Sequence, residues 1–192
     1  TVTELPLGAP AGTVAGDFLL ANVAVAGGSP AIITSPTGWT LIERTDNDTN
    51  VSIASYWKIA VASEATSTWS IYPQTHAVGG LTRYTGVATS DPIDAVAGSI
   101  DRGTSAIAPS VTTTGANAQI VALFAIDAGP NSSDIFSTPA GMTEKYEVTN
   151  KPFGPATAFD DVSQASAGAS GDKTATVSQG PQRDWVAQQI AL

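Results

Sequence analysis

The sequence predicts an all-β protein: a two-sheet β-sandwich of jelly-roll or Greek-key type, with about twelve strands formed by an internal duplication. Three observations lead there. Short apolar or alternating runs are separated by Gly, Pro, Asn and Ser; Ala, Val, Ile, Leu, Thr, Ser and Gly dominate the composition; and one strand pattern returns about a hundred residues later.

The first series begins at Phe18-Leu19-Leu20-Ala21-Asn22-Val23-Ala24-Val25, an apolar run ended by Gly27-Gly28. It is too short and too tightly bounded by glycine for a helix and reads as a buried strand. A turn at Pro36-Thr37-Gly38 leads into Trp39 to Thr45, which alternates up to the polar loop Asp46 to Asn50. Val51 to Ala60 alternates again, with Ile53, Ser55, Trp57 and Ile59 on one face and Ala54, Tyr56, Lys58 and Ala60 on the other. Thr68 to Tyr72 and Val78 to Tyr84 complete the series, and Val2 to Leu5 leads it.

The second series follows the first strand by strand. Ile120 to Ile126 matches Leu19 to Val25 at an offset of 101, and Pro139-Ala140-Gly141-Met142-Thr143 matches Pro36 to Thr40 at 103. At the same 103, Ala156 to Val162 overlays Ile53 to Ile59, so that Tyr56 meets Phe159, Ile59 meets Val162 and Trp57 meets Asp160. Thr174 to Val177 stands for Thr68 to Ile71, Trp185 to Ile190 stands roughly for Ala77 to Leu81, and Ala106 to Thr113 leads the half. Residues 1–192 therefore read as one domain with repeat halves of about 1–96 and 97–192, joined by a short link around Ala97 to Ser105. An open sheet with one apolar face needs cover, so the economical arrangement packs two sheets around one shared core; two independent domains of about 95 residues are the alternative, disfavoured by so short a link. Trp39, paired with Met142, is expected inside it.

Composition narrows function. With 192 residues the chain can bury roughly 70% of its unfolded surface, so it needs no covalent staples, and it has no cysteine to supply them. Eight basic and 17 acidic residues give a net charge of -9, which repels phosphate backbones and makes nucleic acid an unsuitable partner. No run approaches the eighteen or so apolar residues of a membrane-spanning helix, so membrane insertion is not expected. A charged fraction of only 13% suits an extracellular or virion surface, and the opening Thr1 is compatible with a processed or excised piece.

Catalytic signals are weak. His76 is the single histidine, and no Gly-x-Ser-x-Gly elbow accompanies it. Asp160 and Asp161 are neighbours on a strand and point to opposite faces, so they are not the converging pair that glycoside cleavage requires. Asp46, Asp48 and Asn50 place oxygen side chains at alternate positions, as a calcium loop begins, and stand as the metal-ligand candidates for Ca2+. Val51, where a sharp-turn glycine belongs, and Trp57, where a closing glutamate belongs, give the same segment a second reading as a polar hairpin loop. Otherwise no cofactor is expected. Among the aromatics, Trp57, Tyr72 and Tyr84 are the ligand-contact candidates, offering ring faces on which sugars stack, while Trp69, Tyr146 and Trp185 fit the core. Asn47-Asp48-Thr49, Asn50-Val51-Ser52 and Asn131-Ser132-Ser133 fit the glycosylation acceptor pattern.

Gly16-Asp17-Phe18-Leu19-Leu20-Ala21, Pro36-Thr37-Gly38-Trp39-Thr40-Leu41, Tyr56-Trp57-Lys58, Arg83-Tyr84-Thr85-Gly86-Val87 and Pro92-Ile93-Asp94, in that order, resemble a β-sandwich module recurrent in phage tail proteins and large secreted bacterial surface proteins. The resemblance implies an exposed structural or adhesive role and carries over no catalytic residue. The expected function is thus a non-enzymatic module of an extracellular, cell-surface or virion assembly, with glycans, other surface proteins or copies of itself as partners. Two alternatives stand beside it. One is a subunit of a filament, fibre or capsid decoration whose Val2-Thr3-Glu4-Leu5 arm adds to a neighbour's sheet edge; the other is a polysaccharide-active enzyme. Specificity is expected where the copies differ, at Asp46 to Asn50, Trp57 and Lys151 to Pro155.

Overall fold

The apolar run Phe18 to Ala26 is a nine-residue strand with neighbours on both edges, and the first half is assembled around it. The computed structural model describes residues 1–127, 135–150, 153–177 and 182–192. The first half contains β1 (Val2–Leu7), β2 (Phe18–Ala26), β3 (Ile32–Thr34), β4 (Thr40–Asn47), β5 (Val51–Ile59), β6 (Ser67–Thr75) and β7 (Ala77–Tyr84). A larger antiparallel sheet runs β4-β5-β2-β7, and a smaller one, β1-β6-β3, covers one of its faces. Leu19, Ala21, Val23 and Val25 from β2 and Ala54 and Tyr56 from β5 meet Trp39, Trp69 and Ile71 there. The Trp69 ring lies 5.1 Å from Trp39 and 5.9 Å from Tyr56. Trp39 is buried, as its pairing with Met142 predicts, and its indole Nε1 donates to Ser67 Oγ at 2.9 Å.

The second half repeats this plan with β8 (Ala95–Gly103), β9 (Ser105–Ala108), β10 (Thr112–Thr113), β11 (Ala118–Ile126), β12 (Thr143–Thr149), β13 (Ala156–Gln164), β14 (Gly168–Ala169), β15 (Lys173–Thr176) and β16 (Arg183–Ala191). Its larger sheet runs β12-β13-β11-β16-β8, reproducing the first sheet and adding β8 at the edge. The cover is the β15-β9 pair, extended by a bridge between Phe136 and Val177, beside the short β10-β14 ribbon. Residues expected to form a link, Ala97 to Gly103, lie instead in β8, paired along its length with β16, so the connection between the halves is the stretch 85–94.

All-β architecture is what the sequence predicts, and the described residues contain no helix. The layering is richer than two sheets around one core. Phe18 to Val25 are eight consecutive buried residues because both faces of β2 are covered, and β11 is buried almost throughout in the same way. Phe18, Leu20, Ala24, Ile53 and Val78 of the first half pack on Val121, Leu123, Ala125, Phe159, Val186 and Ile190 of the second. The order of layers is therefore small sheet, large sheet, large sheet, small sheet, with a core inside each half and a third between them. Each fully buried Leu, Ile, Val or Phe contributes roughly 1.5–3 kcal/mol, so the central layer binds the halves firmly.

Register tests the duplication residue by residue. The offset of 101 holds: Ala21, Val23 and Val25 and their counterparts Ala122, Phe124 and Ile126 face the outer cores, while Leu20 and Ala24, like Val121 and Ala125, face the central one. The overlay of β5 on β13 at 103 is one residue short. Ala21 pairs with Tyr56 and Ala122 with Asp160, so the offset there is 104, and Tyr56 corresponds to Asp160 rather than Phe159. A slip of one residue reverses the faces of a strand, which is why Tyr56 lies in an outer core and Phe159 in the central one. The outer cores also distribute bulk differently on matching backbones. Trp69 becomes Ala175 and Tyr56 becomes Asp160, whereas Ala77 becomes Trp185 and Val23 becomes Phe124. Bulk lost at some positions is returned at others, so the two outer cores pack differently on the same frame.

Candidate functional site

Asn22 is the one polar residue in the buried run of β2, and its amide organises the junction between the halves. Its Nδ2 donates to Thr157 Oγ1 at 2.8 Å, and its Oδ1 accepts from the Tyr146 hydroxyl at 2.6 Å and from the Gly80 amide at 3.2 Å. Thr157 passes its own proton to the Phe124 carbonyl at 2.8 Å. A side chain at Gly80 would overlap the Tyr146 ring, so glycine is what lets that ring approach β7. Elsewhere on the junction Gln188 Nε2 donates to Thr45 Oγ1 at 3.0 Å, and Asn47 Nδ2 donates to the carbonyls of Asp101 and Trp185 at 2.9 and 3.1 Å. Asn22, with both amide atoms bonded, favours one relative placement of the halves, whereas Gln188 leaves its Oε1 unpartnered among the described residues.

One end of the junction opens into a groove of about 510 Å³. It lies between the end of β7 and strands β12 and β13, and Tyr84, Asp161, Lys145, Arg83, Gln119 and Ser163 are among its lining. The Tyr84 hydroxyl donates to Asp161 Oδ2 at 2.8 Å, and Lys145 Nζ stands 3.1 Å from Asp161 Oδ1. Burial, reinforced by the Asp161 charge, drives the Tyr84 hydroxyl far above the usual phenol range, so it remains a donor. Ser163 Oγ donates to Gln119 Oε1 at 2.8 Å. Arg83 Nη1 donates to Asp17 Oδ2 at 2.8 Å and to the Gly12 carbonyl at 2.6 Å, which ties the groove to the loop before β2. A second hollow of about 320 Å³ shares Tyr84 and Gln119 and prolongs the surface toward Asn117 and Leu192. The groove offers fixed hydrogen-bonding groups beside an aromatic ring. Its one carboxylate, Asp161, has both oxygens engaged.

The three aromatic ligand candidates occupy three different places. Tyr84 lines the groove. Trp57 turns toward the central layer, where it is half-buried and stacks on Phe18 with centroids 5.9 Å apart and planes 13° apart. The cause is the register: Trp57 lies opposite Leu20 on the central face of the sheet. Tyr72 is 71% exposed on the outer face of β6, cross-strand from Ile32, itself 55% exposed.

Asp46, Asp48 and Asn50 lie at the β4-β5 hairpin. Asp46 Oδ1 accepts from Arg44 Nε at 2.8 Å and from the Ser52 hydroxyl. Asp48 takes a positive φ of 45°, and its carbonyl accepts the Ser29 amide at 2.7 Å, while the Asn50 carbonyl accepts the Gly27 amide at 2.9 Å. The segment is a hairpin whose backbone clasps the turn after β2, and a Cβ at Gly28 would collide with the Asp48 carbonyl. Among the described residues no three His, Cys, Asp or Glu side chains come together as a metal site. Asn47 is buried with its amide nitrogen committed, so it is not an accessible glycan acceptor, and Asn50 is half-buried. Asn131-Ser132-Ser133, Lys151 and Pro152 lie outside the described residues. The Val2 to Leu5 arm lies in β1, hydrogen-bonded to the chain's own β6, rather than free to seek another sheet.

Sequence reasoning missed Asn22, the Tyr84–Asp161–Lys145 group and the Asp17–Arg83 pair. Asn22 had a visible signal, a lone amide in an apolar strand; the Tyr84–Asp161–Lys145 group depends on contacts between halves, and Asp17–Arg83 on a contact between distant segments of the first half, that no local pattern announces. The chain matches no known family model, and no curated protein or solved structure matches it.

Proposed function

We propose that the chain is a non-enzymatic structural and adhesion module of an extracellular or virion surface, and that it takes carbohydrate in the junction groove. One observation carries this reading: Tyr84, Lys145, Asp161, Gln119 and Ser163, drawn from both halves, form a prearranged polar lining beside an aromatic ring. Sugars are recognised by this combination, hydrogen bonds to hydroxyls together with contact against a ring face. Pre-organisation favours binding because little side-chain freedom remains to be lost. Glycoside cleavage needs two facing carboxyl groups, and the groove lining supplies Asp161 alone. The low charged fraction and the ordered motifs resembling phage tail and bacterial surface modules agree with the surface setting.

A glycan array followed by NMR titration tests it. Binding is expected to shift resonances of Tyr84, Gln119 and Ser163, to weaken at least about tenfold in Lys145→Ala and Ser163→Ala, and to leave the oligosaccharide intact. Absence of any binder, or binding unchanged in both variants, rejects the groove. Self-association is a second reading, favoured by Tyr72 and Ile32 side by side on the outer face of the smaller sheet next to the three-residue edge strand β3. Light scattering of Tyr72→Glu against wild type tests it; identical monomeric mass for both removes it.

A further inference from the structure

Asp160 occupies, in the second half, the outer-core position that Tyr56 occupies in the first. It is 1% exposed, and among the described residues neither carboxylate oxygen has a hydrogen-bond partner. Directly opposite in the ladder stands Glu144 on β12. Further along β12, Glu147 spends its oxygens on the amides of Ile135 and Phe136, at 2.8 and 2.9 Å. Lys145 belongs to the other face, paired with Asp161, the next residue of β13. On the far side β11 places Ala122 beside Asp160, and beyond it β16 places Gln189, whose amide hydrogens go to the carbonyls of Ala108 and Gly171. That core is otherwise hydrophobic, with Met142, Phe136, Ala106, Ala108 and Ala175 among its members. Among the described residues Asp160 thus has like charges near it and no hydrogen-bond donor or ion-pair partner. A carboxyl group so placed keeps its proton rather than bury a charge. Burial, then the charges of Glu144, Glu147 and Asp161, push its pKa up to about 7.

We propose that Asp160 and Glu144 form a proton-held latch that fastens edge strand β12 to β13 and slackens as pH rises. With the proton in place, a neutral carboxyl faces Glu144. Once it leaves, two carboxylates stand opposite on antiparallel neighbours, where Cβ atoms are about 4.5–5.5 Å apart and like charges repel. β12 is the strand that yields, because it is paired on one side only and already carries a bulge between Glu144 and Tyr146. It also sends the Tyr146 hydroxyl to Asn22 and lines the groove with Thr143 and Lys145. Proton loss in an outer core therefore loosens a strand that serves the junction on the opposite face.

Hydrogen–deuterium exchange on the full chain, corrected for intrinsic rates, at about pH 5 and about pH 8.5 tests the latch. Protection of the Glu144 to Thr149 amides is expected to fall at least about tenfold at the higher pH, with β11 unchanged. Asp160→Asn, neutral at either pH, and Glu144→Gln, a change at an exposed position, should each abolish most of that fall. Protection in wild type that ignores pH, or a fall kept in both variants, overturns the proposal. Should Asp160→Asn fail to fold, Glu144→Gln decides alone. Calcium added at the higher pH is expected to change nothing; if it restores protection in wild type, the carboxylates hold a cation and the proton latch is wrong.

Discussion

Asn22 interrupts an otherwise apolar strand, and replacing it with leucine, the residue found at the matching position 123, tests whether its amide holds the junction. The change removes the acceptor of the Tyr146 hydroxyl and the Gly80 amide and the donor to Thr157. Thr157 keeps its bond to the Phe124 carbonyl, so two donors are left without partners. Each orphaned group costs about 1–3 kcal/mol, and the leucine returns about 1–2 kcal/mol of apolar burial. With the middle of each range the expected net loss is about 2.5 kcal/mol. Tyr146→Phe alone should cost about 1 kcal/mol, and the double variant should recover about 1–2 kcal/mol relative to the sum, because it removes both ends of one broken pair. Urea unfolding followed by tryptophan fluorescence measures all four proteins. A neutral Asn22→Leu, or effects additive to within about 0.5 kcal/mol, would refute the view that this amide fixes the halves.

Trp39→Ala should cost about 3–5 kcal/mol in the same assay, since it empties the space beside Trp69 and strands the Ser67 hydroxyl; a near-neutral result would mean that Trp39 is not core. Gly80→Ala should cost about 1–3 kcal/mol through overlap with Tyr146, and a wild-type unfolding midpoint would contradict the close approach of that ring. Asp160 makes stability pH-dependent in a definite direction: its folded pKa of about 7 lies above the ordinary 3.8, so the folded chain binds the extra proton and loses stability as pH rises from about 4 to 7. Some three units give an upper bound of about 4 kcal/mol, and screening at the sheet margin brings the expectation nearer 2 kcal/mol. Melting temperatures across that range should fall for wild type and stay flatter for Asp160→Asn; parallel curves would count against a buried proton. Asp17, held low by the Val14 amide and then Arg83, and Asp94, held low by Thr114, act in the opposite sense and lose their contribution as pH drops through their depressed values.

Much of the fold was legible because strand period and turn residues are local properties. Ile53, Trp57 and Ile59 share one face of β5 and Ala54, Tyr56 and Ala60 the other, as their alternation predicts. The run Phe18 to Val25 even signalled burial on two faces, although pairing it with a single core discarded that hint. The overlay of β5 on β13 failed by one position because the hairpin between β12 and β13 is longer than its counterpart, a feature that similarity of residue type does not register; the bulges of β4 and β12 fall at matching places and cancel. Asp46, Asp48 and Asn50 show a related limit: alternate oxygens describe a spacing, and only the fold reveals that Arg44 engages the Asp46 carboxylate and that the turn after β2 engages the Asp48 and Asn50 backbone carbonyls. Tyr84 was found by residue type, but its partners Asp161 and Lys145 lie in the other half, beyond the reach of any window.

The unequal faces that the duplicated sheets turn to each other have a consequence for assembly. Asn22 on one side is answered by Tyr146 and Thr157 on the other, while Leu123 stands where a second Asn22 would be. Two copies of the first half laid face to face would bury opposed amides without those partners, and two copies of the second would leave the Tyr146 hydroxyl without its acceptor. Discrimination of this kind lies in the difference between right and wrong pairings rather than in the strength of the right one. The chain has thus turned a repeat into a lock and its key, and a half shed from one molecule would choose the complementary half of another over a copy of itself.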